Sequence, residues 1–513
     1  MKFNRTKNTV WGTVWGALER TANIVMPFVI RTILIHRLGS EYAGLQSLFK
    51  SILSVLNLTE LGFGAAAIFA MYKPIAEDDY RTVGAIFTYL KKVYRVIGAA
   101  VLGLGLLAVP FLDVLIDGEP PADISIVILY GIYLFNTAIS YLLFAHKTSL
   151  LTALQNNAAV NRVDFLCKIG LYTLQIVLLT VHPNYYVYSV LIPVSTIIAN
   201  IVRSSIVDKR YAKWTQPEVL DRALRQDIRS RLFPLMATKV AGVLIGTADT
   251  LVVSAFLGLN AVTLYHNYYD IVHALILLME VLYKSMQSGI GNALVSDGRG
   301  KIMSDFRRFH FMNNWMVTVC AACLICMYQP FMRIWLGENM LLPIGIVILF
   351  TVYFYCYSIP RIVNIYKDAA GIWREDMLRC YLCAALNLLV NIVTVRYIGL
   401  YGVIGSSIAA LLVEVSVIPI ILYRNVFKEK AGTFILRELM DALVALLICA
   451  VSYFICSFIP EGFLGLIARG IICVLVADGL LLLFFGRTEE YRNMKEWIGT
   501  KIKHWVRKTG AKS

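Results

Sequence analysis

The chain has 513 residues, of which 58% are hydrophobic and 16% charged, and its mean hydropathy is +0.68. Soluble globular proteins are about 45–50% apolar and about 25% charged, so this composition excludes an ordinary soluble domain. The net charge of +15 would suggest nucleic acid in a soluble chain. Here it is better explained by the bias of Lys and Arg toward cytoplasmic loops, because apolar runs recur along the whole sequence.

Long apolar segments, separated by polar turns, predict an all-α polytopic membrane protein with about fourteen transmembrane helices. Strands are not expected, because the runs are long and do not alternate strictly. The N-terminal segment has a basic start but no small-residue cleavage site, so we interpret it as the first span. The predicted spans are 9–36, 42–72, 83–111, 124–146, 163–182, 185–207, 232–257, 262–295, 309–331, 341–366, 376–396, 400–424, 437–459 and 463–486.

Lys and Arg set the predicted orientation. With the N-terminus inside, 39 of the 48 Lys and Arg residues flank cytoplasmic turns or lie in the terminal segments, and three flank outer turns. The charged residues of the third turn, DVLIDGEPPAD, are all acidic. We therefore expect both termini on the cytoplasmic side.

The segment 208–231 is the largest break in hydropathy and predicts a division of the chain into two halves. Its apolar residues recur at helical spacing among charges, which predicts an amphipathic helix on the inner membrane surface. The expected parts are an N-lobe at 1–207, this linker at 208–231, a C-lobe at 232–427, helices 13 and 14 at 428–486, and a basic amphipathic cytoplasmic tail at 487–513.

The two halves share a weak internal repeat. Leu38-Gly39 and Leu257-Gly258 each precede a polar turn and a long helix, and the helices before them carry GxxxG pairs, at Gly12 and Gly16 and at Gly242 and Gly246. Six helices per half would make the copies parallel, so we predict two six-helix lobes related by a pseudo-two-fold axis along the membrane normal. Such lobes would enclose a central cavity.

Several signals for other chemistry are weak. The run Cys320-x-x-Cys323-x-x-Cys326 has a metal-like spacing, but on an apolar helix we assign it to the apolar character of cysteine. His266 and His273 lack a third ligand. No P-loop, nucleophile elbow or catalytic carboxylate pair is found, and the basic segments lack a nucleic-acid-binding module. We expect no enzyme activity, no metal, no cofactor and no nucleic acid.

Charged residues inside the apolar helices are the main functional signal. A charge at mid-bilayer costs at least about 2.5–3.5 kcal/mol, so it should face protein or water. For Arg20, Arg31 and Lys50, no opposite charge lies one turn away on the same helix. They predict a cationic, water-filled cavity between the halves, with an anionic ligand such as a phosphate or pyrophosphate.

For the other intramembrane charges, a purely structural role is the alternative to substrate binding. Glu280 and Lys284, at i and i+4, would neutralise each other, and Lys239 and Arg361 would reach the cytoplasmic surface. The candidate substrate-binding residues are Arg20, Arg31, Lys50, Lys239, Lys284 and Arg361. The candidate ion-coupling or gating residues are Glu19, Glu60, Asp249, Asp270 and Glu280.

The stretch RTILIHRLGSEYAGLQSLFKSILSVLNLTELGFGAAAIFAMYKPIA, followed by YLKKVYRVIG, resembles the opening helices of Wzx-type polysaccharide flippases. These belong to the multidrug/oligosaccharidyl-lipid/polysaccharide exporter superfamily, with a MATE-like fold. The resemblance implies a V-shaped pair of lobes in the bacterial plasma membrane. It also implies that Arg20, Arg31, Lys50 and Lys284 line the cavity. The extra helix pair is similar to the lipid II flippase branch, whose last two helices form a lipid groove.

The resemblance implies a flippase that moves an undecaprenyl-pyrophosphate-linked oligosaccharide from the inner to the outer leaflet by alternating access. Such a protein would serve capsule, exopolysaccharide or related glycan synthesis. It would interact with membrane lipids and with the polymerase and glycosyltransferases of its pathway. We expect the protein to be a monomer. The membrane potential, Na⁺ or H⁺ would supply the energy. The alternatives are a cation-coupled multidrug exporter of the same superfamily and, from another class, a membrane glycan polymerase or ligase.

Overall fold

A computed structural model describes residues 5–57, 63–118 and 120–510. At 5–10, 12–13, 65, 223–224, 227–239, 241, 285, 288, 295, 498 and 501–510 it describes the backbone alone. The described part contains seventeen α-helices, short 3-10 turns and one π-helical turn, and no strand. The predicted all-α fold class is confirmed.

The helices are numbered in chain order. The first nine are α1 (Arg5–Arg37), α2 (Ser40–Leu56), α3 (Phe63–Ala76), α4 (Tyr80–Ala108), α5 (Ile126–Leu142), α6 (Ala145–Ala153), α7 (Asn157–Val181), α8 (Tyr185–Arg210) and α9 (Arg222–Ser296). The others are α10 (Arg299–Leu336), α11 (Ile344–Ser358), α12 (Arg361–Ala369), α13 (Arg374–Ile398), α14 (Leu400–Leu422), α15 (Gly432–Ser457), α16 (Phe463–Phe485) and α17 (Glu489–Gly510).

The chain is a multi-pass membrane protein. Within the described residues, ten helices are long and apolar enough to cross a membrane, or eleven if α5 and α6, which meet at a bend of 49°, form one span. Each of the fourteen predicted spans overlaps an observed helix, but the count of fourteen is not confirmed. Two predicted spans lie in the single helix α9, which is broken at Gly258. Neither α1, with its charged residues, nor the 17-residue α2 belongs to the ten.

Backbone contacts divide the chain into two compact units, residues 1–263 and 264–513. The division falls inside α9, so the predicted span at 232–257 lies within the first unit. Contacts on both sides of the helix kink at Gly258 join α9 to this unit. Ser254 Oγ donates to the Leu115 carbonyl at 2.6 Å, and Thr263 Oγ1 donates to the Ser40 carbonyl at 2.6 Å.

Each unit has its own aromatic core. In the first unit the buried rings of Phe49 and Tyr130 lie 5.8 Å apart, and the Tyr130 hydroxyl donates to the Gly105 carbonyl. In the second unit Tyr268 stacks on Tyr328 at 5.3 Å, and the Tyr328 hydroxyl donates to the Tyr268 carbonyl. These buried tyrosines are tolerated because their hydroxyls find acceptors.

The segment between α8 and α9 differs from the predicted amphipathic helix. Pro217 disfavours helical geometry in the preceding residue, and Gln216 is extended, with φ −62° and ψ 132°. Trp214 is buried and lies 4.4 Å from the Tyr80 ring, centroid to centroid. A Cβ on Gly84 would lie 2.3 Å from the Gln216 carbonyl oxygen. The segment therefore begins with a 3-10 turn at Ala212–Thr215, continues as an extended strap packed against α4, and leads into α9.

The C-terminal tail forms helix α17, which packs on α10 of the second unit. Tyr491 stacks on Trp315 at 5.7 Å, and Trp497 meets Phe309 edge-on at 5.9 Å. Glu490 at the start of α17 accepts a hydrogen bond from Arg437 of α15. Part of the apolar face that predicted a membrane-surface helix is thus used for packing within the protein.

The first prediction concerns Gly258. Its φ of 79° and ψ of 175° are essentially open to glycine alone, and an added Cβ would lie 2.9 Å from the Asp117 carbonyl oxygen. Gly258→Ala is expected to lower stability by about 1–3 kcal/mol, measured as the thermal unfolding midpoint in detergent. Gly246→Ala is the matched control, because no described atom lies within 4 Å of its added Cβ. Equal midpoints for the two variants would contradict this assignment.

The second prediction concerns the docking of α17. The hydrogen bond from Arg437 lowers the pKa of Glu490 below its ordinary value. A carboxylate with a depressed pKa stabilises the docked state above its ordinary pKa, and this contribution is lost as pH falls through the depressed pKa. The α17 helix should therefore stay docked at neutral pH and loosen in acid.

Glu490→Gln should loosen α17 already at neutral pH, lowering the hydrogen-exchange protection of its amides by up to about fivefold, since a partly exposed ion pair contributes about 1 kcal/mol or less. Glu496→Gln, an exposed position on the same helix, is the control. Equal protection in the two variants would show that the aromatic contacts alone hold the tail.

Candidate functional site

Arg31 on α1 is buried in the first unit, with 7% of its surface exposed. Its guanidinium donates to Ser47 Oγ on α2 at 3.3 Å and to the Thr263 carbonyl at 3.2 Å. These two hydrogen bonds offset part of the free energy that is lost when the guanidinium is removed from water, because buried polar groups need hydrogen-bond partners. Arg31 ties α1 to α2 and to the part of α9 that follows Gly258. Its assignment as a substrate-binding residue stays a prediction.

The other two cations on α1 and α2 are in different surroundings. Arg20 and Lys50 are both exposed. Glu19, next to Arg20 in sequence, instead accepts from Lys168 of α7 at 2.6 Å and from Asn23 at 2.5 Å. Within the described part of the chain, no carboxylate forms an ion pair with Arg20. Exposed cations on apolar helices are placed to meet water or an anion.

In the second unit, Glu280, Lys284 and Arg361 form a cluster that we call the cation triad. Glu280 lies 3.5 Å from Lys284 and 3.9 Å from Arg361, measured from carboxylate oxygen to side-chain nitrogen. Arg361 also lies over the Tyr357 ring, 4.0 Å from its centroid. The predicted pairing of Glu280 with Lys284 is observed. Arg361, a candidate substrate-binding residue whose alternative was to reach the cytoplasmic surface, faces Glu280 and Tyr357.

The charge balance of the triad favours an anion. One carboxylate serves two cations, which leaves a net positive charge. The side chains of Glu280, Lys284 and Arg361 are 31%, 62% and 26% exposed, so the pairs are partly solvated and each is weak. Weak pairs can be exchanged for a ligand at little cost.

The remaining predicted acidic residues are scattered. Asp249 is buried in the first arm of α9. Asp270, in the second unit, lies 3.5 Å from His266 Nδ1, one turn away on the same helix. Glu60 lies outside the described residues, and so does the side chain of Lys239.

A buried ion network between α12, α13 and α14 was not predicted. Asp376, 1% exposed, accepts from Lys367 Nζ and from Arg379 Nε, the latter at 2.5 Å. Arg379 also lies 3.3 Å from Glu414. Lys367 and Arg379 are among the cations that flank the predicted cytoplasmic turn between the spans 341–366 and 376–396. The i, i+3 spacing of Asp376 and Arg379 was the only local signal, since Glu414 joins through tertiary packing.

A second polar cluster, also missed, joins α10 to α15. His310 Nε2 lies 2.5 Å from Glu438, and Asn314 Nδ2 donates to Glu438 at 3.3 Å and to Asp441 at 3.2 Å. A cavity of about 180 Å³ adjoins these four side chains. His310 and Glu438 are far apart in sequence, so no spacing pattern reveals the contact.

A larger, apolar groove lies within the second unit. Its volume is about 630 Å³, and its walls come from α10, α11, α14 and α15. The lining side chains are mostly Ile, Leu, Val and Ala, with Tyr355 at one wall. A groove of this size and polarity suits a hydrocarbon chain.

Residues 9–283, more than half of the chain, match the family model described as polysaccharide biosynthesis protein. The chain belongs to this family. No curated protein sequence matches it.

The fold of this family member is shared with solved structures of transporters. The lipid II flippase MurJ in an inward closed conformation gives a TM-score of 0.68 at 15% identity, over 93% of this chain and 99% of that one. An inward-facing multidrug resistance MATE transporter of the MOP superfamily gives 0.61 at 14% identity, over 78% and 96%. A mutant of the Vibrio cholerae MATE transporter VcmN gives 0.53 at 16%, over 83% and 99%.

These comparisons confirm the resemblance to Wzx-type flippases of the exporter superfamily and the MATE-like fold. The matching solved structures are a flippase and transporters. At such identities the likeness shows the fold alone.

The third prediction separates structural from binding cations. Arg31→Met should destabilise the first unit by about 1.5–3 kcal/mol, because hydrogen bonds of a buried charged group are lost. Arg20→Met should change stability by no more than about 0.5 kcal/mol, because Arg20 is exposed. Thermal unfolding in detergent measures both. An Arg31→Met protein that unfolds like the wild type but fails in transport would instead assign Arg31 to the substrate.

Proposed function

We propose that this polysaccharide biosynthesis protein is a non-enzymatic flippase for an undecaprenyl-pyrophosphate-linked oligosaccharide. It moves this lipid from the inner to the outer leaflet of the bacterial plasma membrane, for capsule, exopolysaccharide or related glycan synthesis. The polymerase and glycosyltransferases of the pathway are its proposed partners, and both termini lie in the cytoplasm. Family membership and the flippase-like fold support this proposal.

The cation triad is the observation that carries the proposal. A pyrophosphate brings several negative oxygens, and a guanidinium can hold two of them through parallel hydrogen bonds. Arg361 is held in place by the Tyr357 ring, while Lys284 is more exposed and supplies a mobile point charge. The incoming head group replaces Glu280 as the partner of both cations. Arg20, Arg31, Lys50 and Lys239 are proposed to contribute further positive charge.

The apolar groove accounts for the other end of the substrate. The polyprenyl chain stays in a hydrocarbon environment while the head group and glycan cross in water. We place part of this chain in the groove between α11, α14 and α15, whose lining is mostly apolar. The groove and the triad lie in the same unit of the chain.

The membrane potential would favour export of an anion. Each negative charge moved outward across an inside-negative membrane releases about 2.3 kcal/mol per 100 mV. Coupling to Na⁺ or H⁺ would use the intramembrane carboxylates Glu19, Glu60, Asp249, Asp270 or Glu280. A multidrug exporter is the second candidate, favoured by the likeness to MATE transporters, and drug efflux without a glycan defect would establish it.

The fourth prediction tests the triad. Arg361→Ala or Lys284→Ala should lower export about tenfold or more, since a charge-assisted hydrogen bond contributes about 1.5–3 kcal/mol. The measurement is the fraction of lipid-linked oligosaccharide that reaches the outer leaflet in cells that carry each variant as the only copy. Inner-leaflet intermediate should accumulate in the same cells.

Arg469→Ala is the control, because Arg469 is an intramembrane cation of the same unit that donates to the Ile459 carbonyl, away from the triad. Unchanged export in both triad variants, with normal protein levels, would refute the proposed binding site.

A further inference from the structure

A row of aromatic side chains in the second unit extends from the buried core to an accessible face of two helices. On α9, Tyr265 stacks on Tyr269 at 5.6 Å and Tyr269 on His273 at 5.9 Å, with interplanar angles of 13° and 15°. Tyr269 also meets Tyr353 of α11 at 6.2 Å, and Tyr353 stacks on Tyr357 at 6.1 Å. We call these five residues the aromatic row.

The helical repeat explains why these side chains align on α9 and α11 and why the row continues to the triad. Residues four apart lie on one face of a helix, which aligns 265, 269 and 273 on α9 and 353 and 357 on α11. Arg361 follows Tyr357 by four residues and lies over its ring. On α9, Glu280 and Lys284 continue the face that carries His273. The row and the triad are therefore two parts of one continuous strip.

The strip is accessible except at Tyr265, which is buried, with 4% of its surface exposed, and packs on Phe350 at 5.6 Å. His273 is exposed and Tyr269, Tyr353 and Tyr357 are half-buried. Tyr355, two residues from each α11 member of the row, points to the other side of the helix and lines the apolar groove. Helix α11 thus separates a face for hydrocarbon from a face with polar ring tips. Ionisable and polar side chains in membrane helices face water or protein rather than lipid.

We propose that the aromatic row is the glycan-binding track of the flippase, with the pyrophosphate at the triad. This inference rests on the proposed function. A sugar ring presents C–H groups on its faces and hydroxyls on its edge. Tyrosine and histidine match this pattern, because each combines an electron-rich ring with a hydrogen-bonding group. From Tyr269 to His273 the accessible part of the track rises about 6 Å at 1.5 Å per residue, which is roughly the spacing of two successive hexose rings.

The order of the groups fits the covalent order of the substrate. In a lipid-linked oligosaccharide the pyrophosphate joins the lipid to the first sugar, and the glycan extends from that sugar. The triad holds the pyrophosphate, so the first sugar falls beside Tyr357 and His273, and the next sugar lies toward Tyr269 and Tyr353. Aromatic rings can also bind organic cations. Here Arg361 already lies over Tyr357, and the excess positive charge of the triad disfavours a cationic ligand.

The test compares two lipids in proteoliposomes. One is the lipid-linked oligosaccharide extracted from cells that lack this protein, and the other is the same lipid trimmed by exoglycosidases to its first sugar. Transfer across the bilayer is measured as the fraction of the glycan that is oxidised by periodate present on one side of the membrane only. Tyr269→Leu and Tyr353→Leu should slow transfer of the full-length lipid about fivefold. Transfer of the trimmed lipid should change less than twofold.

Three comparisons complete the design. Tyr269→Phe and Tyr353→Phe, which keep the ring, should recover part of the lost rate. Tyr397→Leu, which removes an exposed ring of the same unit outside the row, should leave transfer of both lipids unchanged. Arg361→Ala should slow both lipids alike, because both carry the pyrophosphate.

The outcomes are distinguishable. Leu variants that slow both lipids equally would overturn the glycan track while leaving the proposed flippase function intact. A wild-type protein that transfers neither lipid would overturn both. Leu variants that retain glycan transfer but lose efflux of ethidium would overturn the track in favour of a drug-binding site.

Discussion

A charge removed from bulk water must be hydrogen-bonded, paired or left partly solvated, and this protein uses all three solutions. Arg31 donates to Ser47 and to the Thr263 carbonyl, and Asp376 accepts from Lys367 and Arg379. Both environments are closed, so these charges hold helices together. The cation triad is the open case: its pairs are partly solvated and its carboxylate is outnumbered. Of these three arrangements, the partly solvated triad can still bind an anion, because its positive charge is not fully neutralised. The proposed function therefore depends on it.

The helices of this fold could be predicted from the sequence because a membrane span needs a long apolar run, and such runs are legible residue by residue. The strap between α8 and α9 departs from the predicted amphipathic helix, because Pro217 interrupts the helix that the apolar spacing around it indicates. The division into units inside α9 could not be predicted. It depends on Ser254 and Thr263 contacting the first unit, and such tertiary contacts leave no local pattern.

The candidate site, like the fold, could be predicted from the sequence only where its residues lie close together in the chain. The Glu280–Lys284 pair follows from i, i+4 spacing, but the addition of Arg361 requires α9 to pack beside α12. The run Tyr353, Tyr355, Tyr357 was conspicuous in the sequence, yet only the folded helix shows that Tyr355 turns to the groove while its neighbours join the row. Sequence spacing assigns residues to faces of one helix. The structure decides which face of another helix they meet.

The proposed mechanism requires that the substrate be held strongly enough to enter and weakly enough to leave. In this proposal Glu280 meets both requirements, because it pairs with Lys284 and Arg361 when the head group is absent and would regain them when the head group departs. A site with the two cations alone would bind pyrophosphate more tightly but would release it slowly at the outer leaflet. A fully neutral site would give the anion no reason to leave the cytoplasmic surface. One shared carboxylate lies between these extremes, and the membrane potential then biases an exchange that is already nearly balanced.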